Sequence, residues 1–362
     1  MGKEKLIFWF EETGTEHNDI VGKKCANLGE MIRMGLPVPP GFAISIDMYK
    51  KFIQETEVDE KISRYVSNLG EVKGKGIALY EEVSRTIRTM IESHPIPETL
   101  KEEILTCYEQ LCNKVDICDV PVSVRSAGTA SRPGMFETYL NIKGKEEILD
   151  KVKKVWASAF TPRAIAFRVN KGIPVDGDML GIAVVKMVNA RAAGIGFTID
   201  PVTSDSSKVV VEANWGLGEG VVSGEESVDR FVVDKESLEI VERSVGKKIK
   251  RVVNTEEGAE WEDTPSEMRS KPCLGDEEIK EIARLAKGLE ERLGKPQDME
   301  WAVDPDFSFP HNVFLLQTRP AKTVAKKLES AADQLAEKLV SGFKQIDLSQ
   351  AKGKLKNIRF RF

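Results

Sequence analysis

The sequence is poor in the residues that build zinc centres and covalent cross-links. Of its 362 residues only three are histidine, His17, His94 and His311. His94 stands beside the Pro95-Ile96-Pro97 break and reads as a cap or a surface residue rather than a ligand. Five cysteines (Cys25, Cys107, Cys112, Cys118 and Cys273) are odd in number and form no CxxC pair. That argues against a disulfide framework and against a zinc site, and free thiols are expected. Long apolar runs are lacking too. The early run from Leu6 to Phe10 is too short for a signal-peptide core or a membrane span, and Leu6 stands where myristoylation requires serine or threonine. A cytoplasmic location is therefore expected. An excess of positive charge is also missing: a net charge of -5 gives no reason to expect nucleic acid. Any phosphate site has to be a local patch.

What is present suits a globular enzyme. Hydrophobic residues at 41% and charged residues at 31% are ordinary for a soluble globular chain. The length exceeds what one core usually serves, so two or three lobes are expected. The segment Pro121 to Asn141, PVSVRSAGTASRPGMFETYLN, opens with the β-branched run Val122-Ser123-Val124, which predicts a buried strand delivering Arg125. The loop that follows carries Ser126, Thr129, Ser131 and Thr138 with Gly128 and Gly134. Hydroxyls, open backbone N–H groups and a guanidinium at the strand end suit a polyphosphate.

Other stretches add to this. Residues 19–45 predict a turn at Gly22 and an amphipathic helix with Leu28, Met31 and Ile32 on one stripe. Gly35 ends it, and a strand follows from Phe42 to Ile46. Lys24 lies at the helix start, where the dipole and a cation together favour anionic oxygens. Four apolar-striped helices are expected between residues 47 and 118. Glu146 to Asn170 reads as helix broken at Pro162, with Arg163 and Arg168 on a solvated face. Met179–Val188 and Ala192–Asp200 read as two buried strands joined in a hairpin by Asn189-Ala190-Arg191. Val209 to Gly224 is a strand running into a glycine-rich loop. Arg243–Arg251 and Thr255–Pro272 read as a strand pair and a polar loop, and Asp276 to Leu293 as a helix.

Near the C-terminus, Asp298-Met299-Glu300-Trp301 alternates, so strand periodicity places Asp298 and Glu300 on one face. A second strand follows in which Gln317 and Arg319 share a face. Two carboxylates, an amide oxygen and a guanidinium on paired strands would cradle a magnesium polyphosphate: the oxygens take Mg2+ and the arginine takes phosphate.

These motifs, in this order, resemble the nucleotide-binding domain of the pyruvate phosphate dikinase and phosphoenolpyruvate synthase family. VGKKCANLGEM with GLPVPPGF, VSVRSAGTASRPGMFETYLN, EANWGLGEGVVSG and DMEW with LLQTRP carry the resemblance. Lys23 stands where the family has a second glycine, and Val185 where it commonly has glutamine. The resemblance implies an α+β ATP-grasp fold, two lobes clasping ATP with a helical insert in the first. It divides the chain into residues 1–188, residues 189–321 with the metal-binding hairpin, and a docking tail, 322–362. It implies ATP and Mg2+ as cofactors, with Lys24, Arg125 and Arg319 acting on the transferring phosphates. Ser131, Gly134, Thr138, Met187, Val188, Glu212, Asp298 and Gln317 would join them as nucleotide contacts, with adenine at Met187 and Val188. Asp298, Glu300 and Gln317 become the metal ligands.

Full-length members carry a phosphorylatable histidine in a T-S-H-like motif, and none of His17, His94 and His311 has that setting. The resemblance therefore implies a partner subunit that carries the histidine, with neither membrane nor nucleic acid involved. The β,γ-phosphates of ATP would pass to that histidine, as in phenylphosphate synthase, which activates phenol, or in a divided phosphoenolpyruvate synthase. A nucleotide-sensing regulatory subunit that binds ATP without transfer stays open as an alternative. The amphipathic stretch Leu328–Leu339 and the basic end beyond it read as a docking element.

Overall fold

The computed structural model describes residues 4–70, 76–130, 134–176, 179–222, 227–255 and 258–321. Ser131 and the expected docking tail, 322–362, lie outside the described residues.

In chain order, β1 (Ile7–Trp9) leads through α1 (Asn18–Val21) to α2 (Lys23–Arg33) and β2 (Gly41–Ile44). Four helices follow, α3 (Ile46–Glu55), α4 (Val58–Asn68), α5 (Ile77–Ser93) and α6 (Glu98–Val115), as the apolar stripes predict. The Ser45 hydroxyl caps α3 by accepting from the Met48 N–H, and Met48, Tyr49, Phe52 and Ile53 form its buried stripe. Then come β3 (Val122–Ala127), β4 (Thr138–Ile142), α7 (Lys145–Ala157), α8 (Pro162–Lys171) and β5 (Gly181–Lys186). The expected break at Pro162 is the start of α8, where a missing N–H costs nothing and Thr161 caps the turn. Arg168 departs from expectation. It is fully buried rather than solvated, donating to the Ala159 carbonyl across the bend and lying over the Phe160 ring.

Strands β6 (Ala192–Phe197) and β7 (Lys208–Trp215), the single turn α9 (Glu219–Val222), β8 (Asp229–Asp234) and β9 (Ile240–Ser244) come next. They precede β10 (Lys250–Thr255), β11 (Gly258–Asp263), α10 (Asp276–Leu293), β12 (Gln297–Val303) and β13 (Val313–Pro320). The strands make two antiparallel sheets, ordered β1-β2-β5-β3-β4 and β13-β12-β6-β7-β8-β9, and a separate β10-β11 ribbon. This is the mixed α and β, two-sheet architecture of an ATP-grasp-like nucleotide-binding domain.

Two further expectations are corrected. β5 and β6 do not form a hairpin: β5 lies between β2 and β3, and β6 between β12 and β7. Each is apolar along its length because neighbours use both hydrogen-bonding edges and helices or the cleft cover both faces. The five residues between them cross from one sheet to the other, tied by Met187 N–H to Pro121 O and Arg191 N–H to Val303 O. The second correction concerns the polar loop expected from Thr255 onward. Its first part is β11, paired with β10 so that Trp261 faces Val252.

The core does not divide where the sheets do. Cys25, Leu28 and Met31 of α2 pack with Val209 and Val211 of β7, with α10 and with Met299 and Trp301 of β12. α2 thus enters the core of the second sheet although its chain neighbours build the first. Asn27 fixes this placement by donating to Thr318 O on β13 at 2.9 Å. At its other end Gly22 takes φ +81 and lies so close to the Ala127 carbonyl that a Cβ would sit 2.0 Å from it. The start of α2 is thereby pressed against the end of β3.

Candidate nucleotide site

Two cavities, of about 380 Å3 and 290 Å3, adjoin between the sheets. Arg125, Glu219 and Glu300 line both. The larger is apolar: Met187 and Val188 from the crossing segment, Ala193 of β6, and Ala302 and Leu316 of the acidic hairpin line it. The smaller is polar, with Lys24, Gly134, Thr138, Gln317 and Arg319 on its walls and Lys23 beside Lys24.

The sequence motifs converge here because the strand registers bring them together. Arg125 pairs with Thr138 across β3 and β4 and so shares a face with it. On the facing sheet Asp298 pairs with Arg319 and Glu300 with Gln317. The register then slips, since Trp301 pairs with Leu315 and leaves Leu316 unmatched on β13. This bulge lets two consecutive residues serve the cleft, with Leu316 in the apolar cavity and Gln317 in the polar one. The Gly134–Met135 edge of the phosphate loop is held from behind by α8: Arg163 donates to Gly134 O and Thr161 to Met135 O.

The charges are paired, one pair across the cleft and the others within the β12–β13 hairpin. Arg125 Nη2 donates to Glu300 Oε2 at 3.2 Å, Gln317 Nε2 donates to the other Glu300 oxygen at 2.9 Å, and Arg319 Nε donates to Asp298 Oδ2 at 2.7 Å. Arg125 Nε is buried with no hydrogen-bond partner among the described residues, a donor left over for an anion. Lys24 retains some open surface toward the cleft, yet protein atoms crowd its ammonium. Lost hydration pushes its pKa down to about 7, Arg125 adds to the effect and Glu300 opposes it. Burial likewise raises the carboxyl pKa of Glu219, against the pull of Arg125 and with help from Glu300.

Of the residues singled out from sequence, Lys24, Arg125, Gly134, Thr138, Gln317 and Arg319 come together in the polar cavity, with Glu300 at its junction with the apolar one. Met187 and Val188 line the apolar one. Asp298 joins through Arg319. Glu212 does not reach either cavity: it shares a row with Glu300 across the sheet, with Ile195 between them, and its neighbours there are Arg230, Asp200 and Asp298. Glu219, Lys23 and Trp261 also line the cavities, without a site role expected from the sequence. Glu219 was legible, because Gly216, Gly218 and Gly220 bracket it, whereas nothing local marks Trp261.

Among the described residues no three histidines, cysteines, aspartates or glutamates converge as a metal cage. What fits a metal is the pair Asp298 and Glu300 with the Gln317 amide. These are hard oxygen donors of the kind magnesium accepts when phosphate supplies the remaining ligands.

The fold and the paired cavities define a two-sheet nucleotide-binding domain. The chain belongs to the family described as pyruvate phosphate dikinase, AMP/ATP-binding domain, whose pattern matches residues 18–339. It is 38% identical over 97% of its length to a probable phosphoenolpyruvate synthase of Staphylothermus marinus, covering 45% of that protein. It is 40% identical over 89% of its length to one of Methanocaldococcus jannaschii, covering 27%. Against the phosphoenolpyruvate synthase of Aeropyrum pernix the identity is 38% over 91% of the chain and 44% of the relative. The chain thus spans less than half of each of these three.

Proposed function

We propose that this chain binds Mg-ATP between its sheets and passes the β,γ-phosphates to a histidine on a partner subunit, releasing AMP. The observation that carries the reading is the continuity of an apolar cavity with a cation-rich one through Arg125, Glu219 and Glu300. A planar base needs the first and a triphosphate needs the second. Met187 and Val188 border the base. Lys24, Arg125 and Arg319 bind the phosphates and stabilise the charge that develops on them, and Thr138 and the Gly134 backbone complete the cradle. Ser131, outside the described residues, and Glu212, outside the cavities, keep their nucleotide roles by family resemblance alone. Asp298, Glu300 and Gln317 would hold Mg2+, which neutralises phosphate charge when bound. Arg319 and Arg125 donate to the same two carboxylates.

Water would then release the γ-phosphate from the pyrophosphoryl histidine as inorganic phosphate, and the phosphoryl group left on the histidine would pass to a small acceptor, phenol as in phenylphosphate synthase or pyruvate as in phosphoenolpyruvate synthase. Calorimetry of Mg-ATP with Glu300→Ala and Arg319→Ala checks the site. Each variant is expected to lose about tenfold to a hundredfold in affinity, and unchanged binding in both would remove the assignment. AMP formation tests the transfer: the chain alone should make little, and addition of a histidine-bearing partner should raise it greatly. ATP binding with no AMP in the partner's presence would instead favour a nucleotide sensor.

A further inference from the structure

The β10–β11 ribbon belongs to neither sheet, yet it roofs the apolar cavity. Trp261 lines that cavity from β11 and is 42% exposed, the most exposed of the five tryptophans: Trp156 and Trp301 are at 0%, Trp215 at 8% and Trp9 half-buried. A large ring left open inside an apolar cavity, with no aromatic partner of its own among the described residues, is a free stacking face. The ribbon's inner strand is fastened to the glycine loop, where the Leu217 N–H donates to Val252 O and Gly216 packs against the same carbonyl.

Its far end is fastened to the other sheet. Asn141 on β4 is buried and adopts φ +56, a left-handed conformation that asparagine tolerates better than most residues. Its Nδ2 donates to Thr255 O and Gly258 O, the carbonyls at the ends of β10 and β11. One side chain of the first sheet therefore holds the ribbon across the gap, next to Leu140, which lines the same cavity.

We propose that Trp261 is the face on which the nucleobase stacks, and that Asn141 is the positioning residue that latches the ribbon over it. The inference rests on the ATP-binding reading above. The base enters the cavity between the indole and the Ala302 and Leu316 side, and the ribbon must leave Asn141 for nucleotide to exchange.

The test compares ATP, adenosine and inorganic tripolyphosphate on the unmodified chain and on Trp261→Ala, Trp261→Phe and Asn141→Gly. Tryptophan fluorescence should be quenched by ATP and adenosine but not by tripolyphosphate, and the quench should vanish in both Trp261 variants. Trp261→Ala should lose about tenfold in affinity for ATP and for adenosine while binding tripolyphosphate normally, and Trp261→Phe should recover most of that loss. Asn141→Gly, which keeps the left-handed backbone, should retain the quench and release ATP severalfold faster. Adenosine binding unchanged in Trp261→Ala, or an equal loss for tripolyphosphate, overturns the stacking role, and unchanged ATP release from Asn141→Gly overturns the latch. If the unmodified chain binds neither ATP nor adenosine, the ATP reading fails as well. If it binds both and the variants behave like the unmodified chain, the inference alone fails.

Discussion

Lys24 is expected to make ATP affinity fall as pH rises above neutrality. Its pKa in the free protein lies at about 7, chiefly from lost hydration, then from Arg125. A triphosphate beside the ammonium favours the charged form and raises that value in the complex. Below pH 7 the lysine is protonated both free and bound, and it adds no pH dependence. Above pH 7 the free protein must take up a proton on binding, so ATP affinity falls as pH rises, by at most about tenfold per unit. Calorimetry at pH 8 in buffers of different ionisation enthalpy should reveal that uptake, and Lys24→Met should abolish it while weakening binding. A flat affinity from pH 6.5 to 8.5 would show that the lysine does not meet phosphate. The same burial that perturbs Lys24 explains why Arg125 is set opposite Glu300: a cation in a crowded cleft is costly without a partner.

At the level of elements, the acidic hairpin shows how one irregularity divides labour. Without Leu316, β13 would pair regularly with β12, because Leu315 already faces Trp301 and Gln317 already faces Glu300. Deleting Leu316 is therefore expected to leave a folded hairpin, to weaken adenosine binding and to spare tripolyphosphate binding. Parallel titrations of the deletion variant, checked by thermal melting, decide this. β6 supplies a second case. Gly194 lets the sheet close: a Cβ there would lie 1.9 Å from the Glu212 carbonyl and 2.9 Å from the Trp301 ring. Gly194→Ala should cost about 1–3 kcal/mol of stability by overpacking, read as a lower midpoint in urea. An unshifted midpoint would mean that the strands can part at no cost.

At the scale of the whole molecule, the described residues hold the nucleotide cavities and contain no helix long and apolar enough to cross a membrane. Truncation after Ala321 is expected to leave Mg-ATP binding intact and to reduce partner-dependent AMP formation, as a docking tail requires. Lost binding would place residues 322–362 in the fold, and undiminished AMP formation would put the anchor elsewhere. The residues that gather in the polar cavity are legible in the sequence, since strand alternation puts Asp298 with Glu300 and a strand end must present Arg125. So are the helices, including α10 from Asp276 to Leu293, because a 3.6-residue stripe is a local signal. Pairing partners are not local. That β5 and β6 join different sheets, that α2 leaves its neighbours for the second core, and that Trp261 hangs over the apolar cavity each depend on which distant edges meet. The apolar runs of β5 and β6 satisfy either arrangement, and Trp261 sits in a charged stretch that any exposed loop could share. Only the packed fold chooses, by pairing the edges of the buried strands and bringing both sheets to one cleft.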